Sequence, residues 1–273
     1  MEADVVGRIA VVVGVLLGVL GAPAPAGAAL PVVDMEAVLK AAQIDPRRAD
    51  SAITPGSGES VLQVERALSA KGLLPSTYVD GHFGTRTIDA YAAYQRSLGY
   101  TGLDASGFPG PTSIQKLGEG RYTVTRLVSA GSRTTYHSAT MNTRTKAMLV
   151  EAERLLGRTL GITQGSYSTS NPGSAGTHDG GGALDISVSG MTATTRTTVA
   201  RVLRQVGFAA WIRTPDQGFA YHIHAIALAD PDLSPAAQHQ AGDYYLGYNG
   251  LADRGPDDGP VVTPKQTWEE YRR

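Results

Sequence analysis

Four side chains in the second half of the sequence could together perform metal chemistry: His178, Asp185, His222 and His224. The segment from residue 219 to residue 228 predicts a strand, whose two-residue period places His222 and His224 on one face. Two imidazoles held close together cannot both carry a charge comfortably, whereas a bound metal ion stabilises such a pair. Two histidines and an aspartate suit zinc and leave a fourth position for water. Taken alone, each residue is more often an ordinary hydrogen-bonded side chain.

The stretch Thr177-His-Asp-Gly-Gly-Gly-Ala-Leu-Asp-Ile186, followed by His222-Ile-His224, resembles a group of zinc peptidases. That group includes the D-Ala-D-Ala carboxypeptidases, the lysostaphin-type endopeptidases and the hedgehog signalling domain. The resemblance covers residues 120–250 and implies a Zn²⁺ ion bound by His178, Asp185 and His224. It also implies hydrolysis of an amide in peptidoglycan stem peptides or cross-links.

Three departures from that family pattern bear on the reaction. Gly176 stands where a serine is usual, and Gln164-Gly-Ser-Tyr-Ser168 lacks the arginine that in the family steadies a tetrahedral oxyanion. Tyr221 occupies the position of the usual catalytic glutamate. Two alternatives follow: His222 acts as the general base, or the chain is a non-catalytic binding protein or zinc-retaining receptor. Arg213 could replace the missing arginine, but the sequence does not place it.

A second resemblance covers residues 60–118. The motif Asp80-Gly81-x-Phe83-Gly84 with the later pair Tyr94-Gln95 resembles the peptidoglycan-binding-like three-helix domain of bacterial wall enzymes. This resemblance implies peptidoglycan as the partner. The candidate contact residues are Asp80, Gly81, Phe83 and Gln95. Phe83 also lies on a periodic apolar stripe, so packing in a core is the alternative role for it.

The elements that must position these side chains follow from hydrophobic periodicity and glycine stops. Within residues 60–118, three short helices joined by glycine turns predict a small all-α three-helix bundle as the first of two domains. From residue 120 helices and strands mix irregularly, which predicts an α+β domain with a mainly antiparallel sheet. The alternation around His222 assigns Phe219, Tyr221 and Ile223 to the face opposite the two histidines. Residues 29–59 predict a linker with a short helix, and residues 251–273 predict a tail.

Composition narrows the location and the partners. The chain has 273 residues, a formal net charge of −1 and no cysteine, so a disulfide framework is excluded. An apolar run followed by Ala26-Gly27-Ala28 predicts a signal peptide over residues 1–28, with an uncleaved anchor as the alternative. Without these residues, 23 basic and 23 acidic side chains remain, which argues against nucleic acid as a partner. The sequence thus predicts a secreted or cell-wall-associated protein with no stable membrane span after cleavage.

Overall fold

The computed structural model describes residues 29–48 and 50–273; the predicted signal peptide, residues 1–28, lies outside them. The described residues form eight α-helices: α1 Met35–Ile44, α2 Gly58–Ala70, α3 Thr85–Ser97, α4 Pro111–Gly118, α5 Thr143–Leu156, α6 Ala193–Gln205, α7 Pro235–Leu246 and α8 Trp268–Tyr271. They also form eight strands: β1 Val32–Asp34, β2 Thr123–Thr125, β3 Arg133–Tyr136, β4 Ala139–Asn142, β5 Ile162–Gln164, β6 Ala183–Ser187, β7 Phe208–Arg213 and β8 His222–Ala227. This mixture is an α+β fold, as predicted for residues 120–250. A separate three-helix bundle over residues 60–118 is not evident among the described residues, because α1 shares one core with α2, α3 and α4. None of the helices in the described part of the chain is long and apolar enough to cross a membrane.

A four-stranded sheet carries most of the candidate metal ligands. Its strands lie in the order β5–β6–β8–β7, and every pair is antiparallel, as predicted. One face packs against α5 and α6 through an apolar cluster that includes Leu184, Phe208 and Ile223. The opposite face packs against α7 through a smaller cluster around Trp211 and Tyr244. Because side chains alternate along each strand, polar residues between the members of the first cluster project towards α7.

Helix α5 shows how local sequence signals fix an element. Asn142 caps its N-terminus, where the side-chain oxygen accepts a hydrogen bond from the backbone N–H of Thr145 at 2.7 Å. The helix ends at Gly157, whose φ of 63° lies in the left-handed region that glycine adopts without strain. The Asn142 amide also donates to the buried carboxylate of Asp230 at 2.9 Å. The start of α5 is thereby fixed to the loop that follows β8.

The core of the first part of the chain extends beyond residues 60–118. Helix α1 contributes Met35 and Leu39, both fully buried, to the same apolar cluster as residues of α2, α3 and α4. Strand β1 pairs in parallel with β2. The short helix predicted within residues 29–59 is confirmed as α1, and residues 33–48 are a packed part of the fold and not a linker. Helix α1 contacts both α2 and α7, so it is buried on more than one side.

The C-terminal segment differs from the tail predicted over residues 251–273. Helix α8 packs its two aromatic side chains against the cluster on the α5–α6 face. Glu269 forms a bidentate ion pair with the buried Arg144, at 2.8 and 2.6 Å. Asp257 forms a second bidentate pair with the buried Arg204, at 2.9 and 2.7 Å. Two acids of this segment therefore neutralise guanidinium groups that α5 and α6 bury.

Candidate metal centre

Neighbouring strands bring the predicted site residues to one place on the sheet. Asp185 on β6 pairs directly with His224 on β8, and His222 on β8 pairs with Arg213 on β7. Residues that pair across antiparallel strands project on the same face, as do residues two apart along one strand. Asp185, His222 and His224 therefore share the α7 face, which confirms the predicted placement of the two histidines. His178 reaches them from the loop between β5 and β6.

The carboxylate of Asp185 lies at the centre of three imidazoles. Its Oδ1 atom is 2.8 Å from Nδ1 of His224, 3.3 Å from Nε2 of His178 and 3.5 Å from Nε2 of His222. Ligand atoms of His178, Asp185 and His224 all lie within 4.8 Å of one another. The ring of His222 borders this group without belonging to it. The structure thus brings the three predicted ligands together and places the predicted base beside them.

The second nitrogen of each ligand imidazole is held by a carbonyl oxygen. The Nδ1–H of His178 donates to the backbone oxygen of Gly165 at 3.0 Å, and the Nε2–H of His224 donates to the side-chain oxygen of Gln240 at 2.9 Å. In these tautomers the remaining ring nitrogens offer only lone pairs, and both face the Asp185 carboxylate, which can only accept. A cation between them removes that repulsion, and such outer hydrogen bonds are typical of histidine ligands. This buried group could therefore hold a metal ion.

Burial and charge set ionisation states that suit a metal site. Burial alone raises the pKa of the Asp185 carboxyl, but the adjacent imidazoles of His178 and His224, which donate to it and carry charge when they are protonated, hold that pKa well below its usual range. Burial lowers the pKa of His224, and the charges of His178 and Arg213 lower it further against the opposing charge of Asp185. At neutral pH Asp185 is a carboxylate and His224 a neutral ring. These are the forms that bind metal.

The loop that carries His178 is closely packed against its surroundings. The backbone N–H of Ser168 donates to the backbone oxygen of His178 at 2.9 Å, and the N–H of Tyr167 donates to that of Gly180 at 2.8 Å. A Cβ atom on Gly180 would collide with the backbone oxygen of Asp232. Glycine is therefore needed here for close approach of two backbone segments. This packing holds His178 at a fixed position over the sheet.

The metal group forms part of the wall of a cavity of about 580 Å³. Strand β8 begins at His222, so the three residues before it are not in the predicted strand. Phe219 lines the cavity with its ring edge-on to that of His222 at 6.0 Å, and the prediction that it faces away was wrong. Tyr221 is half exposed at the rim, whereas Ile223 is buried on the opposite face as predicted. The Nδ1–H of His222 donates to the backbone oxygen of Ala220 at 2.7 Å, which leaves its Nε2 free.

Three further polar residues belong to the site. Gln240, which the sequence did not indicate, comes from α7 and orients His224. Arg213, which the sequence left unplaced, lines the cavity from β7. Gln164 lines it from β5, where it pairs directly with Asp185. Strand pairing and helix packing place these residues, and neither can be obtained from their spacing along the chain.

The four predicted wall-contact residues lie in the helical part of the chain, outside the cavity of the metal group. The backbone N–H groups of Asp80 and Gly81 donate to the carboxylate of Glu65 at 3.0 and 2.7 Å. Phe83 is fully buried in the helical core, and the amide of Gln95 bonds two buried backbone groups at 2.7 and 2.8 Å. Of the four, only Asp80 is exposed. The other three stabilise the fold in this structure.

Comparison with known proteins gives no assignment: no family model, no curated protein and no solved structure matches the chain. What the site can do chemically therefore follows from the arrangement of its own residues.

Proposed function

We propose that this chain is an exported cell-wall zinc peptidase that hydrolyses an amide in peptidoglycan stem peptides or cross-links. The observation that carries the proposal is the convergence of His178, Asp185 and His224 within 4.8 Å, with His222 beside them in the same cavity. Two imidazoles and a carboxylate are the donors that zinc takes in catalytic sites, where a position stays open for water or substrate.

The proton transfers of the proposed reaction fall to His222. Zinc, when bound, supplies a Lewis acid and lowers the pKa of water in the site towards neutrality. The Nε2 lone pair of His222 is free to take a proton from the attacking water, because its Nδ1–H is held by Ala220. The water oxygen bonds to the scissile carbonyl carbon and the C–N bond breaks. His222 then returns its proton to the nitrogen of the leaving amine.

The residues around His224 support a site with fixed geometry. The indole of Trp211 lies nearly parallel to the His224 ring, at 6.5 Å between centroids and 16° between planes. The Gln240 side chain holds the far nitrogen of the same ring. Such second contacts orient a ligand and raise its basicity. Their presence favours a preorganised metal site over a chance cluster of polar side chains.

Attachment to the wall is the proposed role of residues 60–118. The support for this role is the family resemblance of the Asp80-Gly81-x-Phe83-Gly84 motif. The buried residues of the motif make their contacts inside the fold, so they add no support of their own. The helical part also packs directly against the part that carries the metal group. Arg47, just after α1, forms a bidentate ion pair with Asp243 of α7 at 3.1 and 2.9 Å. Helix α7 also carries Gln240, so a wall-bound helical part would hold the site close to its polymer.

A second candidate function is a zinc-retaining receptor that binds stem peptides without cutting them. One observation favours it. Among the described residues that line the cavity, Asp185 is the sole carboxylate, and it belongs to the metal group. The position of the usual catalytic glutamate is Tyr221, at the exposed rim. A receptor would need no base, so a wild-type protein with full zinc occupancy and no turnover would point to this function.

Digestion of purified sacculi separates the two candidates. The secreted protein is incubated with sacculi in three forms: as zinc-loaded wild type, after chelation, and after zinc is restored. Mass spectrometry of the released fragments identifies the bond that is cut. A peptidase releases stem-peptide fragments only in the two zinc-containing samples. A receptor remains bound to the sacculi and releases nothing in any of them.

A further inference from the structure

Three arginines of the described residues are almost completely buried: Arg144, Arg204 and Arg213. The first two have ion-pair partners, Glu269 at 2.6 Å and Asp257 at 2.7 Å. Among residues 29–48 and 50–273, Arg213 has no such partner. A buried charge without a counter-charge is strongly destabilising, because it has lost its hydration without gaining an opposite charge. Arg213 therefore stands out as a buried cation that no acidic side chain of the described residues contacts directly.

The surroundings of Arg213 leave one of its donors free. Its Nη1 donates to the backbone oxygen of Asn249 at 2.9 Å, and its guanidinium lies 5.0 Å from the ring centroid of Trp211. Its Nη2 has no hydrogen-bond partner within the described part of the chain. Burial lowers the pKa of Arg213 to about 10, so the group stays charged at neutral pH. The side chain is 2% exposed and lines the cavity of the metal group.

A second free donor lies on the other side of the metal group. The side-chain oxygen of Gln164 accepts a hydrogen bond from Asn171 at 2.6 Å, whereas its Nε2 is buried and has no partner among the described residues. Gln164 is on β5 and Arg213 is on β7, the two edge strands of the sheet. The sheet residues of the metal group, Asp185 and His224, are on the two strands between them.

The spacing of the strands fits an extended peptide that lies across them. Adjacent strands are about 4.8 Å apart, and one extended residue spans roughly 3.5 Å. Arg213 pairs with His222, but its guanidinium lies 5.0 Å from the ring of Trp211, the residue that pairs directly with His224. A peptide whose scissile amide lies at the metal group therefore brings the end of its next residue within hydrogen-bond reach of this guanidinium. Arg213 pairs directly with His222 across β7 and β8, so it lies on the side of the site where the proposed base returns its proton.

We propose that Arg213 binds the free C-terminal carboxylate of the peptide, and that Gln164 donates to a carbonyl oxygen on the N-terminal side of the scissile amide. This inference rests on the proposed function and deepens it. The site then removes a single C-terminal residue, because an internal amide of a cross-link has no charge to neutralise Arg213. The peptide crosses the sheet with its C-terminus over β7 and its N-terminal part towards β5.

The test is binding of an uncleavable ligand to the zinc-loaded full-length protein. The probe is the ketomethylene isostere of N-acetyl-D-alanyl-D-alanine, in which CH₂ replaces the scissile NH, and its C-terminal carboxamide is the comparison. Calorimetry is expected to show that the acid binds about 10- to 100-fold more tightly, as a charge-assisted hydrogen bond implies. Equal affinities would overturn the proposal, and so would no detectable binding of the acid. This comparison needs no variant.

Variants then assign the preference to Arg213. Arg213→Met is expected to bind the acid and the carboxamide equally, and Arg213→Lys to keep part of the preference. Arg196→Met is the matched control, because Arg196 lies over the ring of Tyr221 at the cavity rim. This variant is expected to prefer the acid over the carboxamide to the same extent as wild type. Gln164→Leu is expected to weaken both ligands alike, by about 2- to 10-fold. Circular dichroism and zinc content show which variants are folded.

A preference that survives in folded Arg213→Met would overturn the inference, since the carboxylate would then be bound by the metal itself. The outcome is separate from that of the proposed peptidase activity. Acid preference without any turnover of sacculi would refute the peptidase and keep the carboxylate site. Turnover of internal cross-links with no preference for the acid would refute the carboxylate site and keep the peptidase.

Discussion

Removal of one candidate ligand is expected to empty the metal site. His178, Asp185 and His224 are the only described residues that form a group of this kind, so each alanine variant leaves two ligands of three. Zinc at a hundred times its dissociation constant adds about 2.7 kcal/mol to the free energy of unfolding. For a domain of this size that free energy corresponds to a rise of roughly 5–10 °C in Tm. We expect wild type to show that rise with zinc and the three variants to show none.

His222→Ala is expected to behave differently from the other three. Its ring borders the group, with 3.5 Å to Asp185 Oδ1, and it is only partly buried. Zinc content near one ion per chain and the zinc-dependent rise in Tm are therefore expected to persist. Hydrolysis of stem peptides is expected to fall by about 10²- to 10⁴-fold, the usual contribution of a positioned acid–base group.

Metal analysis by mass spectrometry, thermal unfolding with and without zinc, and peptide release are measured on all four variants. Loss of zinc from His222→Ala together with retention in His224→Ala would reverse the assignment of ligand and base. Normal zinc binding by all four variants would refute the site. Full occupancy in wild type without any release of peptide would favour the receptor.

Three further predictions concern the support of the site and of the fold. Gln240→Leu is expected to lower zinc affinity by about 10- to 100-fold in a chelator competition, because the ligand ring loses its outer hydrogen bond; unchanged affinity would contradict this. Asp257→Ala leaves the buried Arg204 unpaired and is expected to cost about 3 kcal/mol or more in urea unfolding, whereas the adjacent, exposed Asp258→Ala is expected to cost under about 0.5 kcal/mol. Burial raises the pKa of Glu65 to about 7 in the folded protein, from about 4.5 in the unfolded chain. The stability contributed by the protonated side chain is therefore complete below about pH 4.5 and is lost as pH rises through about 7. Glu65→Gln is expected to remove this pH dependence of the free energy of unfolding.

Structural features that depend on only a few neighbouring residues could be predicted from the sequence. The cap at Asn142 and the stop at Gly157 depend only on neighbouring backbone groups. The shared face of His222 and His224 follows from the two-residue period of any strand. The types of the ligands, two histidines and an aspartate, likewise indicated metal chemistry before any contact was known.

The predicted linker and tail show where local signals end. Residues 29–48 and 251–273 complete cores and ion pairs formed by distant parts of the chain. Arg47 meets Asp243, and Glu269 meets Arg144. Each such partner is more than a hundred residues away in sequence, and composition alone does not reveal which acid neutralises which base.

The metal group likewise combines features that the sequence determined with features that only the folded chain shows. The sequence by itself determined which residues could bind a metal and which face of their strand they share. Only the tertiary structure decided that Gln240 holds His224 and that Arg213 lines the cavity with a free donor. The physical reason is that periodicity fixes the face of an element, whereas register and helix packing fix its neighbours. Those neighbours depend on the whole core being formed, and no segment of the chain specifies them alone.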